Sequence, residues 1–425
     1  MVSSVALLWL AGCGGGSDPL VDMADRDRAL RCDDDDSSSE EPPAGPVCEE
    51  GSRGELVSVQ FVASYPSKKK LEKYWDSWLN GFMALGYIDD TVEPGIENGV
   101  DTFVVEYCTV DFDGSPILAS GMLASPRTFW TAPTVVYSHG TSVTRVDTPS
   151  NPNVDEVFDG PTPMVVFAGA GYLYLAPDLT GFGSSEAPRH RYFHAETEAA
   201  STLDLVRAME SWWPYTLKAD GRLFNMGFSQ GGHTALAFAE AAEAEGYTFE
   251  ATAVVGAVGD PEAWFDWLLD QVDNSYLQLY TGDLSVSYDD VYDLYADPAE
   301  AYVAPYDTTI DGLYDMSLLF ADVALALPGS AAELMTPEFY AAAQDPAADF
   351  RTHLAENRVD DLCSSAPIRM YHSVDDGEVP YDLGVASADA LAACNDVELV
   401  DWFGLDHLNT WHEVLPAARD WFDTF

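Results

Sequence analysis

Residues 225–233 read NMGFSQGGH, and the reading of this stretch decides the fold. Upstream, RLFNMGF (222–228) is a short, mostly apolar run that predicts a strand ending near Gly227. Downstream, the alanine-rich TALAFAEAAEA (234–244) predicts a helix that begins just after Ser229. A serine set between Gly227 and Gly231 at a strand-to-helix hinge has the form G-x-S-x-G. The glycines relieve crowding at a sharp turn, so the hydroxyl projects above the sheet edge and the next residue turns its N–H toward a reacting group. The pattern is short, and the chain holds 32 Gly in 425 residues, so context has to decide whether Ser229 is a nucleophile.

A nucleophile of this kind needs an acid and then a histidine further along the chain. PIRMYHSVDDGEVPYDLG (367–384) is a strand breaking at an acidic turn, and Asp376 is the favoured acid, with Asp375 as rival and Glu378 third. One helix and one strand (DVELVDWF, 396–403) then lead to GLDHLNTWHEV, where His407 lies just past the last strand and is the expected general base. His412 falls inside the final helix, and His139, His190, His194, His353 and His372 sit on or near other strands or the cap. His233, one turn into the helix after Ser229, is expected to pack rather than to act as the base. Serine, acid and histidine thus agree in order, spacing and position.

Around these residues, TVVYSHG, YLYLAPD, TAVVGAVG and the strands already named recur at intervals that leave room for helices between them. Runs apolar on both faces and separated by helices predict an α/β chain with a mostly parallel central sheet flanked by helices. TFVVEYCTV and ILASGMLASP flank the turn-rich DFDGSP and predict a hairpin. Between about residues 260 and 350 strand signals disappear, and a Trp-, Tyr- and Asp-rich stretch predicts an inserted helical cap.

The chain carries 72 acidic against 19 basic residues, and only 12 of the acids lie in the first fifty, so the acidity coats the folded part. Such a surface repels nucleic acid and anionic lipid headgroups and argues against both as partners. The acidic group Asp289, Asp290, Asp293 and Asp297 lacks the glycine and terminal glutamate of a calcium loop and reads as solvated surface; the cysteine spacings fit no zinc site. The first thirteen residues form an apolar run, too short to span a bilayer, that ends in Leu10-Ala11-Gly12-Cys13. This resembles a bacterial lipobox, which implies lipidation of Cys13 and an envelope-anchored protein; the alternative is an ordinary secretory signal. Residues 14–54, including CDDDDSSSEEPPAGPVC, read as a disordered acidic tether before a domain spanning 55–425. Export permits disulfides, and the expected pairs are Cys32–Cys48 and Cys363–Cys394, with Cys108 left as a buried thiol.

Taken together, the chain resembles the α/β-hydrolase family, and more narrowly its secretory lipase and esterase branch, over about residues 100–260 and 360–425. SHGTSV resembles the loop that furnishes half of an oxyanion hole, and APDLTGFGSSE resembles the segment ending the fourth strand. AASTLDLVRAMESW resembles the helix before the elbow, while VDDGEVPY and GLDHLNTW match the acid and histidine loops. The resemblance implies a serine carboxylic-ester hydrolase with the triad Ser229, Asp376 and His407, and oxyanion donors at the Thr141 and Gln230 amides. It implies an ester substrate and no metal or organic cofactor. A serine exopeptidase of the same fold and a non-catalytic binding protein are the competing readings; natural substrate and oligomeric state stay open.

Overall fold

The computed structural model describes residues 48–88, 92–151 and 161–425. Cys13, Cys32 and residues 14–47 of the expected tether lie outside the described residues.

The parallel half of the sheet is built from short runs with apolar residues on both faces, which are stable only when helices cover both sides. These are β4 (Ala132–Ser138), β5 (Leu173–Pro177), β6 (Ala219–Phe228), β7 (Ala251–Val255), β8 (Ile368–Ser373) and β9 (Val397–Trp402). An antiparallel meander precedes them: β1 (Leu56–Tyr65), β2 (Val100–Val110) and β3 (Pro116–Pro126), with β2 and β3 joined by the DFDGSP turn. The order among the described residues is β1-β2-β3-β5-β4-β6-β7-β8-β9, antiparallel as far as the β3–β5 pair and parallel beyond it.

Three helices cover one face: α1 (Lys68–Leu85), α2 (Pro161–Ala170) and the last helix of the chain. The other face carries α3 (Ala195–Ser211), the short α4 (Trp213–Lys218) and α5 (Gln230–Ala244). Between β7 and β8 the chain leaves the sheet and forms the cap. Its helices are α6 (Pro261–Leu269), α7 (Ser275–Tyr292), α8 (Pro298–Ala301), α9 (Tyr306–Leu313), α10 (Phe320–Ala326), α11 (Ala331–Leu334), α12 (Pro337–Ala343) and α13 (Asp349–Glu356). The cap has an apolar core of its own, which also takes in Val143, Tyr192, Phe193, Val258 and Val379 from the loops at the carboxyl end of the sheet. α14 (Tyr381–Leu391) and α15 (His407–Phe422) complete the chain.

The disulfides correct one expectation. Cys363 pairs with Cys394 as expected, but Cys48 pairs with Cys108 rather than with Cys32, and Cys108 is no free thiol. The reason lies in the backbone: Gly54 N bonds Cys108 O and Cys108 N bonds Glu55 O, so residues 48–55 run beside β2 instead of belonging to the tether.

Candidate active site

Ser229 sits at the end of β6 with φ 54° and ψ −119°, a backbone conformation that side-chain-bearing residues rarely adopt. Its N–H donates to Val255 O at 2.8 Å, which ties the strained residue to the neighbouring strand. The flanking glycines are required by close approach. A Cβ on Gly227 would stand 1.8 Å from Gly231 O, and one on Gly231 would stand 2.0 Å from Ser138 O. The turn is therefore wedged between β4 and the first turn of α5, and no larger residue fits at either position.

His407 is the first residue of α15 rather than a loop residue, and Asp406 caps that helix by accepting from Asn409 N at 2.8 Å. Its Nδ1 donates to Asp376 Oδ2 at 2.6 Å. The other oxygen of Asp376 accepts from the backbone N–H groups of Glu378 and Val379, both at 2.9 Å, so the carboxylate is held from both sides. Asp375, the rival acid, instead accepts from Gly404 N at 2.7 Å. Burial opposes charge on the imidazole, but Asp376, Glu378 and Asp406 outweigh it and lift His407 to about 9. Burial likewise opposes charge on Asp376, yet His407 holds that carboxyl below the usual carboxylate range.

The serine and the histidine border the same pair of residues. Ser229 bonds Val255, and a Cβ on the next residue, Gly256, would come within 2.7 Å of His407 Cε1. The ring of Phe228, the residue before Ser229, lies 4.8 Å from the imidazole. His407 Nε2 is buried without a hydrogen-bond partner among the described residues. It is the nitrogen left over once Nδ1 has bonded Asp376.

A buried polar lattice fixes the start of α5. Glu198 of α3 is 1% exposed, and its Oε1 accepts from the side-chain amide of Gln230 at 2.7 Å and from Phe193 N at 3.1 Å. Its Oε2 accepts from His233 Nδ1 and from Thr234 Oγ1, both at 2.8 Å. Burial would push this carboxyl up, but the charge on His233 and the hydrogen bond from it hold the group far below its ordinary value. His233 Nε2 meets Asn357 O at 2.8 Å, so the ring is packed and bonded away from Ser229, as its helical position suggested. The other amide hydrogen of Gln230 goes to His190 Nε2 at 2.5 Å, because His190 Nδ1 donates to Thr180 O.

Thr141 lies on the loop after β4, where its hydroxyl and that of Tyr192 are 2.8 Å apart. On the same loop His139 bonds Asp178 O at 3.2 Å, and the Asp178 carboxylate accepts from Ser120 Oγ and Ser150 N. Over the acid loop stand three cap aromatics: Trp264 Nε1 donates to Glu378 O at 2.9 Å, and the hydroxyls of Tyr276 and Tyr280 donate to the Glu378 carboxylate.

Sequence reasoning missed Glu198, His190, Tyr192 and the engagement of Glu378 with the cap. Glu198 reads in sequence as an ordinary acid in the first turn of a helix; only its burial sets it apart. The acidic group of the cap also differs from the solvated surface expected. Asp290 pairs with Arg189 at 3.0 Å and with Arg191 at 3.2 Å, and Asp297 caps α8. Among the described residues no cluster of histidine, cysteine or carboxylate side chains has the spacing to hold a metal ion.

No protein-family model matches the chain, and no curated protein matches it in sequence. Solved structures do. The chain is similar to the rice cell wall degrading esterase LipA from Xanthomonas oryzae, with a TM-score of 0.77 and 23% identity over 88% of this chain and 99% of that one. It is similar to a protein of Legionella pneumophila at TM-score 0.76 and 23% identity, covering 87% and 97% of the two chains. Candida antarctica lipase A aligns at TM-score 0.60 and 14% identity, over 84% and 78%. With its sheet order, its elbow between β6 and α5 and its cap between β7 and β8, this chain has the α/β-hydrolase fold.

Proposed function

We propose that the protein is a serine carboxylic-ester hydrolase. The observation that carries the reading is the 2.6 Å bond from His407 Nδ1 to Asp376, beside a serine in the strained turn between β6 and α5. In this reading Ser229 Oγ attacks the ester carbonyl while His407 Nε2 takes its proton, and Asp376 orients and stabilises the imidazolium that forms. The backbone N–H groups of Thr141 and Gln230 hold the oxyanion, each donor worth about 3 kcal/mol of transition-state stabilisation. His407 then protonates the departing alcohol, and a water activated by the same imidazole releases the acid from Ser229.

The similarity to esterase and lipase structures supports this chemistry. We infer further that the protein is exported and anchored through Cys13; two disulfides, Cys48–Cys108 and Cys363–Cys394, suit an oxidising compartment. Fluorophosphonate labelling followed by peptide mapping tests the catalytic reading. Modification is expected at Ser229 together with loss of ester hydrolysis, and unmodified Ser229 in a protein that hydrolyses no ester overturns it.

A further inference from the structure

The lysines of this chain gather at one end of the sheet. There are five, Lys68, Lys69, Lys70, Lys73 and Lys218, in a sequence of net charge −53. Four of them lie in the first two turns of α1, whose first turn holds no acidic residue and whose N-cap Ser67 makes no side-chain capping bond. Cations at the start of a helix oppose its dipole, so helix formation gives no reason for them. Lys68 reaches Glu72 at 3.8 Å, whereas Lys69, Lys70 and Lys73 are exposed and form no ion pair among the described residues.

The same end carries a group of exposed aromatic side chains. In the loop from β3 to β4, Arg127 N donates to Gly99 O at 2.8 Å, and a Cβ on Gly99 would stand 2.6 Å from Ser67 N, so this loop lies against the start of α1. On its other side Lys218 Nζ donates to Thr128 O and Trp130 O, both at 2.7 Å, which ties the loop to the end of α4. Phe129 on the loop is wholly exposed, and Trp130, Trp213 and Leu217 are 74%, 69% and 68% exposed. Trp213 and Leu217, four residues apart, share one face of α4. Arg127, paired with Asp101 at 3.0 Å, completes the group. The whole lies at the amino ends of β4 and β6, where Ala132 pairs with Ala219. Ser229 follows the other end of β6, about 30 Å away along a strand of 10 residues.

Large apolar side chains gathered in water at one place mark a surface that a partner covers. Tryptophan and phenylalanine flanked by lysines suit the interfacial layer of an anionic bilayer, where rings enter the headgroup boundary and ammonium groups meet lipid phosphates. The summed charge of the chain argues against such a partner. At physiological salt, however, fields fade within about 8 Å, so the local sign decides on contact. The segment between Cys13 and Cys48 spans at most about 115 Å, so anchoring at Cys13 leaves this face free to reach the same bilayer. We propose that Lys69, Lys70 and Lys73, with Phe129, Trp130 and Trp213, form a docking face for an anionic phospholipid bilayer. Ser229 then stands at the opposite end of the sheet, toward water. Resting on the ester-hydrolase reading, this orientation means that the substrate arrives from the aqueous side and is not a lipid of the bilayer beneath.

The test uses the full-length chain carrying Cys13→Ser, so that no acyl chain contributes to binding. Vesicles of phosphatidylcholine with phosphatidylglycerol are expected to sediment the protein, and pure phosphatidylcholine to bind it at least tenfold more weakly. Two triple variants at exposed positions are compared: Lys69→Glu, Lys70→Glu, Lys73→Glu, and Phe129→Ala, Trp130→Ala, Trp213→Ala. Each is expected to lower the partition coefficient at least tenfold with the thermal transition unchanged. Turnover of a soluble ester is expected to be equal in bound and free protein, with no fatty acid released from the vesicles. Absence of vesicle binding, or binding that either triple variant leaves unchanged, overturns the docking face. Self-association abolished by the same substitutions, without vesicle binding, overturns it in favour of a contact between copies. Cleavage of vesicle phospholipid overturns the orientation. Docking by a protein that cleaves no ester sinks the hydrolase reading and leaves the docking face standing.

Discussion

Glu198 of α3 accepts a hydrogen bond from the side chain of Gln230 at 2.7 Å, and this contact fixes the residue whose backbone amide is the proposed oxyanion donor. The same carboxylate also takes bonds from Phe193, His233 and Thr234. Glu198→Gln removes a buried charge that four donors face, and is expected to cost about 3–5 kcal/mol. The folded carboxyl is depressed, so its stabilisation is present above the unfolded carboxylate range and is lost as pH falls below it. Thermal unfolding should therefore separate wild type from Glu198→Gln most at neutral pH, with the gap closing in acid; equal curves at pH 7 refute the lattice's importance.

Asp376 and Asp375 are adjacent but have different partners, His407 and Gly404 N respectively. Asp376→Asn is expected to lower kcat by about 10⁴, because the imidazole loses the acceptor that sets its tautomer. Asp375→Asn should change kcat only a few-fold. A reversed order in steady-state kinetics assigns the acid to Asp375.

The imidazole at about 9 must lose its proton before it can act as a base. With an uncharged ester, kcat/KM of the wild type is expected to rise with pH up to about 9, and Asp376→Asn should move the residual limb to lower pH. The raised histidine contributes stability that is full below the unfolded value of about 6.5 and is lost as pH rises through 9. A limb near pH 6.5 in the wild type contradicts the electrostatics described above.

The turn at Ser229, with φ 54° and ψ −119°, stores strain of about 1–3 kcal/mol. Ser229→Ala keeps that strain and is expected to abolish ester hydrolysis with little change in the thermal transition. Ser229→Gly is also expected to be inactive, yet more stable than Ser229→Ala by about 1 kcal/mol, because glycine adopts positive φ without a Cβ clash. Denaturant midpoints of the two inactive variants make the comparison.

Cys48–Cys108 closes a loop of sequence separation 60, and its removal is expected to cost about 4 kcal/mol through the freedom returned to the unfolded chain. Chemical denaturation of a Cys48→Ser, Cys108→Ser double variant checks the size. A loss below about 1 kcal/mol shows that the backbone pairing of residues 54–55 with Cys108 suffices without the covalent link.

Several of these relationships were legible before any coordinates. The glycines at 227 and 231 announced a turn with no room for side chains, and the structure supplies the cause in the carbonyls of Gly231 and Ser138. Asp375 against Asp376 was left open because two neighbouring acids look alike in a string; the strand's end decides which one turns inward. Glu198 was invisible for a related reason. In a chain with 72 acidic residues one more carboxylate reads as surface, and only packing shows that this one is 1% exposed.

The sequence by itself determined the local order: which segments are strands or helices, where the elbow falls, and that serine, acid and histidine occur in that succession. Apolar periodicity and glycine placement act within a few residues, so they can be read one window at a time. Tertiary structure decided which groups meet: Cys48 with Cys108, Glu198 with Gln230, and Tyr280 of the cap with Glu378. Those pairings follow from burial and from how helices settle on the sheet, which couple residues far apart along the chain and leave no trace in its local pattern.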